Sequence, residues 1–257
     1  MGRRIHVIAA VSAVLVVAAA CSSSGSGGAP GNSSSAPSSR ASSSSSSAGR
    51  GSDNSALSAK ELVTSAISAM TSAASMHVTG EGPAPTFERL DLHLGPSKAA
   101  GTLTDFEDRK KIVRFRVIND TAYVLAPDSA YRNLATGAQR ERILALVHGK
   151  WVKGSIGSSL WASVEMYSSK QRFLSSNLKK LTSASDWTKG APETDNGVAT
   201  ATVTCPDGTL YVAKSGTAYP VEFRTTDGGY SFGSWNEPFS VSAPPSAQVV
   251  DLSKLPQ

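Results

Sequence analysis

Val113-Arg114-Phe115-Arg116-Val117 alternates apolar and charged residues one by one. Successive side chains of a strand point to opposite faces of a sheet, so this run reads as a half-buried strand with Arg114 and Arg116 on the wet side. Asn119-Asp120 follows as a turn, and Thr121 to Leu125 returns from it, which makes a hairpin. Upstream, Leu90-Asp91-Leu92-His93-Leu94 alternates in the same way, and Met76-His77-Val78-Thr79-Gly80 begins the series. This first group of strands covers about Met76 to Ala126. A second group covers about Val198 to Trp235. In it Leu210 and Val212 share a face, Val221-Glu222-Phe223-Arg224 alternates, and Tyr230-Ser231-Phe232 returns from the turn Asp227-Gly228-Gly229. Pro206-Asp207-Gly208 is a further turn. Links this short predict antiparallel pairing throughout, because parallel neighbours need long crossovers.

Helical signals precede and separate the two groups. Ser58-Ala59-Lys60-Glu61 is a capping box with Ser58 at the N-cap and Glu61 at N3, and Leu57 and Leu62 take the staple positions. Leu62, Val63, Ala66, Ile67, Met70 and Ala73 then line one helix face. Thr136 and Gln139 form a second capping box, Ile143, Leu144 and Val147 its apolar face, and Gly149 its stop. Lys150-Trp151-Val152-Lys153 is a short extended piece. Trp161 to Met166 and Phe173 to Leu181 are short amphipathic helices. The fold class is α+β, one antiparallel sheet covered on one face by helices.

Ahead of this domain, Arg3-Arg4 and the apolar run from Ile5 to Ala20 have the layout of a secretory signal peptide. The run is short for a bilayer span, which needs roughly 20 apolar residues. It closes on Ala18-Ala19-Ala20-Cys21, which resembles the lipobox of bacterial lipoproteins, with Ala18 in place of the usual Leu. That resemblance implies lipidation of Cys21. The competing readings are an ordinary secreted chain with a chance Cys and an uncleaved anchor. From Ser22 to about Ser55 the chain is nearly all Ser, Gly, Ala and Pro, a composition too poor in apolar surface to fold. As a flexible coil its roughly 34 residues reach about 30–35 Å, which suits a tether. The expected organisation is a signal peptide at 1–20, a lipidated Cys and tether at 21–56, and one folded domain at 57–257.

Of the formal charge of +5, Arg3 and Arg4 contribute +2, which leaves +3 on the processed chain. Basic residues are spread out, and no basic stripe carries interleaved aromatics, so nucleic acid is not an expected partner. With Cys21 acylated, Cys205 has no disulfide partner; it reads as a packed thiol at a strand end.

The order and spacing of several phrases resemble the LppX/LprG-type lipoproteins of actinobacteria, related in fold to the LolA/LolB carriers. These are the lipobox with its Ser/Gly tether, the Ala-rich helix ending in Ser75-Met76-His77-Val78, then Tyr123-Val124 and Tyr131. Gly149-Lys150-Trp151-Val152-Lys153 and Gly216-Thr217-Ala218-Tyr219-Pro220-Val221 complete the set. The resemblance implies a curved, half-open antiparallel sheet wrapped on helices around an apolar cavity for acyl chains. Val113, Phe115, Val117, Leu125, Val212, Val221 and Phe223 are the residues expected on its concave wall. It also implies a monomer, lipid-anchored through Cys21 on the outer face of the bacterial plasma membrane, that binds or transports a lipid or other amphiphile. The alternative is a non-catalytic envelope interaction or regulatory protein with a filled core.

Catalytic signals fail on context. Gly229-Tyr230-Ser231-Phe232-Gly233 matches the nucleophile elbow Gly-x-Ser-x-Gly, but no helix start follows it, and the last His, His148, lies upstream. Ser176-Asn177-Leu178-Lys179 matches Ser-x-x-Lys without the downstream partner motifs. Asp105, Glu107 and Asp108 read as a polar hairpin rather than catalytic carboxylates. Trp151, Trp161, Trp187 and Trp235 are scattered and read as core residues rather than a sugar platform. His77, His93 and His148 show no metal-ligand spacing. No enzyme activity, metal or cofactor is expected.

Overall fold

Ser58 opens the first helix as its sequence dictates. In the computed structural model, which describes residues 52–81, 89–104, 111–158 and 161–251, the helix α1 runs Ala59–Ser72 with the full capping box. The Glu61 N–H donates to Ser58 Oγ, and Glu61 Oε2 accepts from the Ser58 N–H at 2.9 Å. The Ser58 hydroxyl also donates to Glu61 Oε2 at 2.6 Å, and this bond, with that from the Ser58 N–H, holds the Glu61 carboxyl below its ordinary pKa. Leu62, Val63, Ala66 and Met70 form its buried stripe.

The strands β1 (Met76–Glu81), β2 (Arg89–Leu94), β3 (Lys98–Thr104), β4 (Ile112–Ile118) and β5 (Thr121–Leu125) follow, each antiparallel to the next. Next come α2 (Gly137–Val147), β6 (Trp151–Ser155), α3 (Ala162–Glu165), α4 (Lys170–Asn177) and α5 (Lys179–Ser183). Two short edge pieces, β7 (Thr188–Lys189) and β8 (Glu193–Asp195), lead into β9 (Val198–Cys205), β10 (Gly208–Ala213), β11 (Pro220–Thr225) and β12 (Gly228–Gly233); β13 (Val249–Asp251) ends the series. All belong to one open sheet ordered β13-β6-β5-β4-β3-β2-β1-β12-β11-β10-β9-β7, with β8 also on β9. Two meanders are thus joined through β1, which pairs β2 on one side and β12 on the other.

The hairpin that fixed the reading lies where it was expected. Asn119 turns the chain at φ 54°, a left-handed conformation that Asn tolerates better than most residues. Pro206-Asp207 turns β9 into β10, and Cys205 ends β9 as a partly exposed free thiol.

Four expectations change. First, pairing is not antiparallel throughout: β13 runs parallel to β6, with Val250 opposite Val152. The segment after β12 makes the long crossover that a parallel pair demands. Second, β3 was not singled out from sequence. Lys98-Ala99-Ala100-Gly101-Thr102-Leu103-Thr104 has too few large apolar residues to show alternation, yet it pairs on both sides. Third, Thr136 is the N-cap of α2 but makes no side-chain cap hydrogen bond.

Fourth, the fold begins before Leu57. Asn54 is buried, and its side-chain amide donates to Ala213 O at 2.8 Å and Gly216 O at 3.1 Å. Its backbone N–H donates to Lys214 O, and the Gly216 N–H donates to Ser52 O. Lys189 Nζ closes the same corner on Ser55 O and Leu57 O. Composition hid this corner, because one Asn placed against a strand end outweighs the Ser-rich stretch around it. The expected signal peptide at 1–20, Cys21, the expected tether of 21–56 up to residue 51, and the Asp105-Glu107-Asp108 hairpin lie outside the described residues.

Candidate functional site

Cross-strand partners share a face, so the register defines the wall under the helices. One row reads Val152, Val124, Phe115, Gly101, Leu92, Val78 and Phe232 across β6, β5, β4, β3, β2, β1 and β12. Leu210 opposite Phe223, and Phe223 opposite Tyr230, extend this wall into the second meander. Gly101 is the one position in that row without a side chain. A Cβ there would sit 2.2 Å from Asp91 O, so β2 and β3 approach at a distance only glycine permits.

Of the residues expected on the concave wall, Phe115, Val117, Val212 and Phe223 are buried in the main core, and Val113 packs against it half-buried. Leu125 is not on that wall. It pairs with Arg114, and therefore lies on the opposite face beside Tyr123; Val124 takes the inner position. Val221 falls at a register shift. Tyr211 faces Glu222, but Val212 faces Pro220, so β11 carries an extra residue there and strict alternation is broken. Val221 is buried yet outside the main core cluster.

The wall is covered by α1 (Leu62, Ala66, Met70), α2 (Ile143, Val147) and the short helices α4 (Phe173) and α5 (Leu181), with Leu178 at the joint between them. Phe173 meets Tyr230 edge-on at 5.4 Å. Buried side chains of sheet and cover join in one apolar cluster. Openings lie at its margins. An apolar groove of about 220 Å³ runs between α1 (Ile67, Met70) and the α4–α5 pair (Leu174, Leu178). A second of about 190 Å³ lies on the other side of that pair, among Asn177, Lys179, Phe223 and Tyr230. The α4–α5 pair therefore sits between two clefts.

Polar atoms at the cover are informative. Lys170 Nζ is buried and donates to the carbonyls of Met70 (2.8 Å), Thr71 (2.6 Å) and Ala73, which ties α4 to the C-terminal end of α1. Burial pushes its ammonium pKa down. Ser158 Oγ and Trp161 Nε1, beside α3, are buried with no hydrogen-bond partner. An unpaired buried donor costs about 1–3 kcal/mol, so such a pair needs a reason.

The catalytic motifs stay without context. Ser231 lies opposite Thr79 and Glu222 on the outer face of β12, and a turn and extended chain follow. Ser176 and Lys179 fall on either side of the α4–α5 joint. Trp235 stacks on Tyr219 at 4.7 Å, Trp151 lies under Arg116 at 4.8 Å, and Trp161 is buried, so they form no platform. One outer-face cluster was missed. His77, Asp91 and His93 come together, although sequence spacing showed no metal-ligand pattern.

No family model and no curated protein matches the sequence. Solved structures give a likeness. The chain is similar to LprF from Mycobacterium bovis. Identity is 16%, with 72% of this chain and 96% of that one covered at a TM-score of 0.47. The Mycobacterium tuberculosis lipoprotein LppX gives 17% identity, 71% and 99% coverage, and a TM-score of 0.44. A LolA superfamily protein from Nitrosomonas europaea gives 8%, 74% and 96%, and 0.24.

Proposed function

We propose that this chain is a membrane-anchored extracytoplasmic lipoprotein that binds or transports a lipid or other amphiphile between its sheet and its helical cover. The observation that carries this reading is the apolar groove between α1 and the α4–α5 pair, which borders the core. The cover suits displacement. Beside the longer α1 and α2, its α4 and α5 have 8 and 5 residues, too short to be stable in water without packing. Lifting α4 and α5 exposes Phe173, Leu178 and Leu181, at about 1.5–3 kcal/mol each, and the Lys170 ammonium exchanges its carbonyl partners for water. An acyl chain burying about 15 methylenes returns roughly 12 kcal/mol, which exceeds that cost. Ser158 Oγ and Trp161 Nε1 then find acceptors in the ligand's polar end. On this reading Cys21 carries the acyl anchor and holds the domain at the outer face of the plasma membrane. The continuous apolar cluster between sheet and cover favours the second reading, a non-catalytic interaction or regulatory protein.

Two experiments separate them. Tether-free protein mixed with vesicles containing a fluorescent diacyl phospholipid should retain lipid through gel filtration. Leu174→Arg, a half-buried groove residue, should fold and reduce retention at least ten-fold, because a buried charge in an acyl path costs several kcal/mol. Equal retention in that variant places the ligand elsewhere. No retention by the wild type, and no lipid extracted from the purified protein, leaves the interaction reading. For the anchor, fatty-acid labelling should be lost in Cys21→Ala; unchanged labelling removes the lipoprotein assignment.

A further inference from the structure

The outer face of β1 and β2 assembles three ligand groups from separate stretches of chain. His77 and His93 are direct cross-strand partners, and Asp91 lies two residues before His93 on the same face, opposite Thr79. His77 Nε2 is 2.8 Å from Asp91 Oδ1. The two imidazoles stack at 4.3 Å with 13° between their planes. One ligand atom from each of the three residues lies within 4.8 Å of the others. We propose that His77, Asp91 and His93 form a binding site for a borderline divalent transition-metal ion, with zinc as the natural probe.

The donor set fits that class. Two imidazoles and a carboxylate are ligands of zinc, which binds nitrogen and oxygen at about 2.0–2.2 Å and holds a water where the protein leaves a position open. Ligand atoms at that bond length lie roughly 3.3 Å apart in a tetrahedron, so the 2.8 Å His77–Asp91 pair must open slightly and the stacked rings must rotate toward one centre. The surroundings permit it. On the far side of His77 the neighbouring strand carries Gly233, and on the far side of His93 it carries Ala100. A Cβ added at Gly233 would meet no atom within 4 Å, so the space beside His77 is open. Phe239, from the segment that crosses the outer face after β12, lies 5.8 Å from His93 and shields one side.

Charge points the same way. Asp91 brings the negative charge that a cation needs. Of the cations on this face, Arg89 lies 3.8 Å from Glu81, and Arg116 lies over Trp151 and donates to Ser242 O. Such an ion would also staple β1 to β2 at the strand that joins the two meanders.

The test is zinc titration of the untagged protein by calorimetry, with the thermal midpoint measured with and without zinc. One zinc per chain and a raised midpoint are expected. His93→Ala and Asp91→Asn, both at exposed positions, should keep the metal-free midpoint within a degree or two while weakening zinc binding at least ten-fold. His148→Ala should bind as the wild type does, because among the described residues His148 belongs to no group of three possible ligands and pairs with Asp128 at 2.9 Å. Cobalt(II) should give visible d–d absorption in the wild type and lose it in His93→Ala. Absence of zinc binding by the wild type overturns the proposal, as does equal binding by His93→Ala; in either case the cluster is an ordinary His–Asp hydrogen bond across two strands.

Discussion

Phe115→Ala is expected to lower the stability of the folded domain by about 3–5 kcal/mol, the range for removing a fully packed aromatic side chain. Phe115 is 1% exposed, in the middle of the inner row between Gly101 and Val124. No neighbour can fill its place cheaply. Gly101 has no side chain to offer and cannot gain one, because a Cβ would strike the backbone of β2. The cavity left behind therefore stays, and the cost includes lost dispersion contacts as well as transfer. At about 2–4 °C per kcal/mol for a domain of this size, the midpoint should fall by roughly 6–20 °C. Urea unfolding with an unchanged m-value is the measurement. A loss under about 1 kcal/mol would mean that the wall lacks close partners in solution, as an open lipid site would. Val117→Trp provides the opposite check: in a filled core it should overpack and destabilise by about 1–3 kcal/mol or more.

The first group of strands was legible because its residues do two things at once. Arg114 and Arg116 between Val113, Phe115 and Val117 can only belong to a strand with one wet face, and the Asn119-Asp120 turn fixes the return. What failed there is instructive. Ala122 and Val124 point inward while Tyr123 and Leu125 point outward, yet all four are apolar or amphipathic. Hydropathy cannot choose between the two sets. Only the two-residue turn does, by setting Ile118 opposite Thr121 and hence Arg114 opposite Leu125. Val221 was misread for a related reason, since a single extra residue in β11 shifts the phase without leaving any mark in the composition. The capping box of α1 was legible to the residue because it is a local device. Non-local pairings were not. His77 and His93 are separated in sequence by a connection of no particular pattern, and become neighbours only through β1–β2 register. The same applies to β13, whose partner β6 lies nearly a hundred residues earlier. A cavity leaves still less trace: its wall and a packed core are written with the same residues.

Alkaline pH should unfold this protein steeply, and buried tyrosines are the reason. Tyr131, Tyr167 and Tyr230 are at most 6% exposed. Burial pushes Tyr131 and Tyr230 from the ordinary value of 10 up to about 12, and pushes Tyr167 up as well. The physical cause is the cost of a phenolate with little water around it. The sign follows from proton counting. Below pH 10 all three are neutral in both states and the stabilisation is fully present. Above pH 10 the unfolded chain loses its phenolic protons while the folded one keeps them, so stability falls until the folded groups titrate. Each group contributes about 1.4 kcal/mol per pH unit in that window, and three together about 4. Against a total of 5–15 kcal/mol typical of a domain, a unit or two is enough. Lys170 acts in the opposite sense, since its depressed folded pKa makes stability rise with pH, but that gain ends near pH 10.5 where the unfolded amine has lost its proton. Burial also raises Tyr211, an effect that the Arg224 guanidinium opposes. Tyrosinate absorbance followed together with circular dichroism from pH 8 to 12.5 tests this. Part of the absorbance change should coincide with loss of native structure and rise more sharply than independent ionisation. Tyr230→Phe should remove about a third of the pH slope. If all six tyrosines ionise near pH 10 while the dichroism stays native, these rings are wet, and the sheet and its helical cover do not close on each other in solution as they do here.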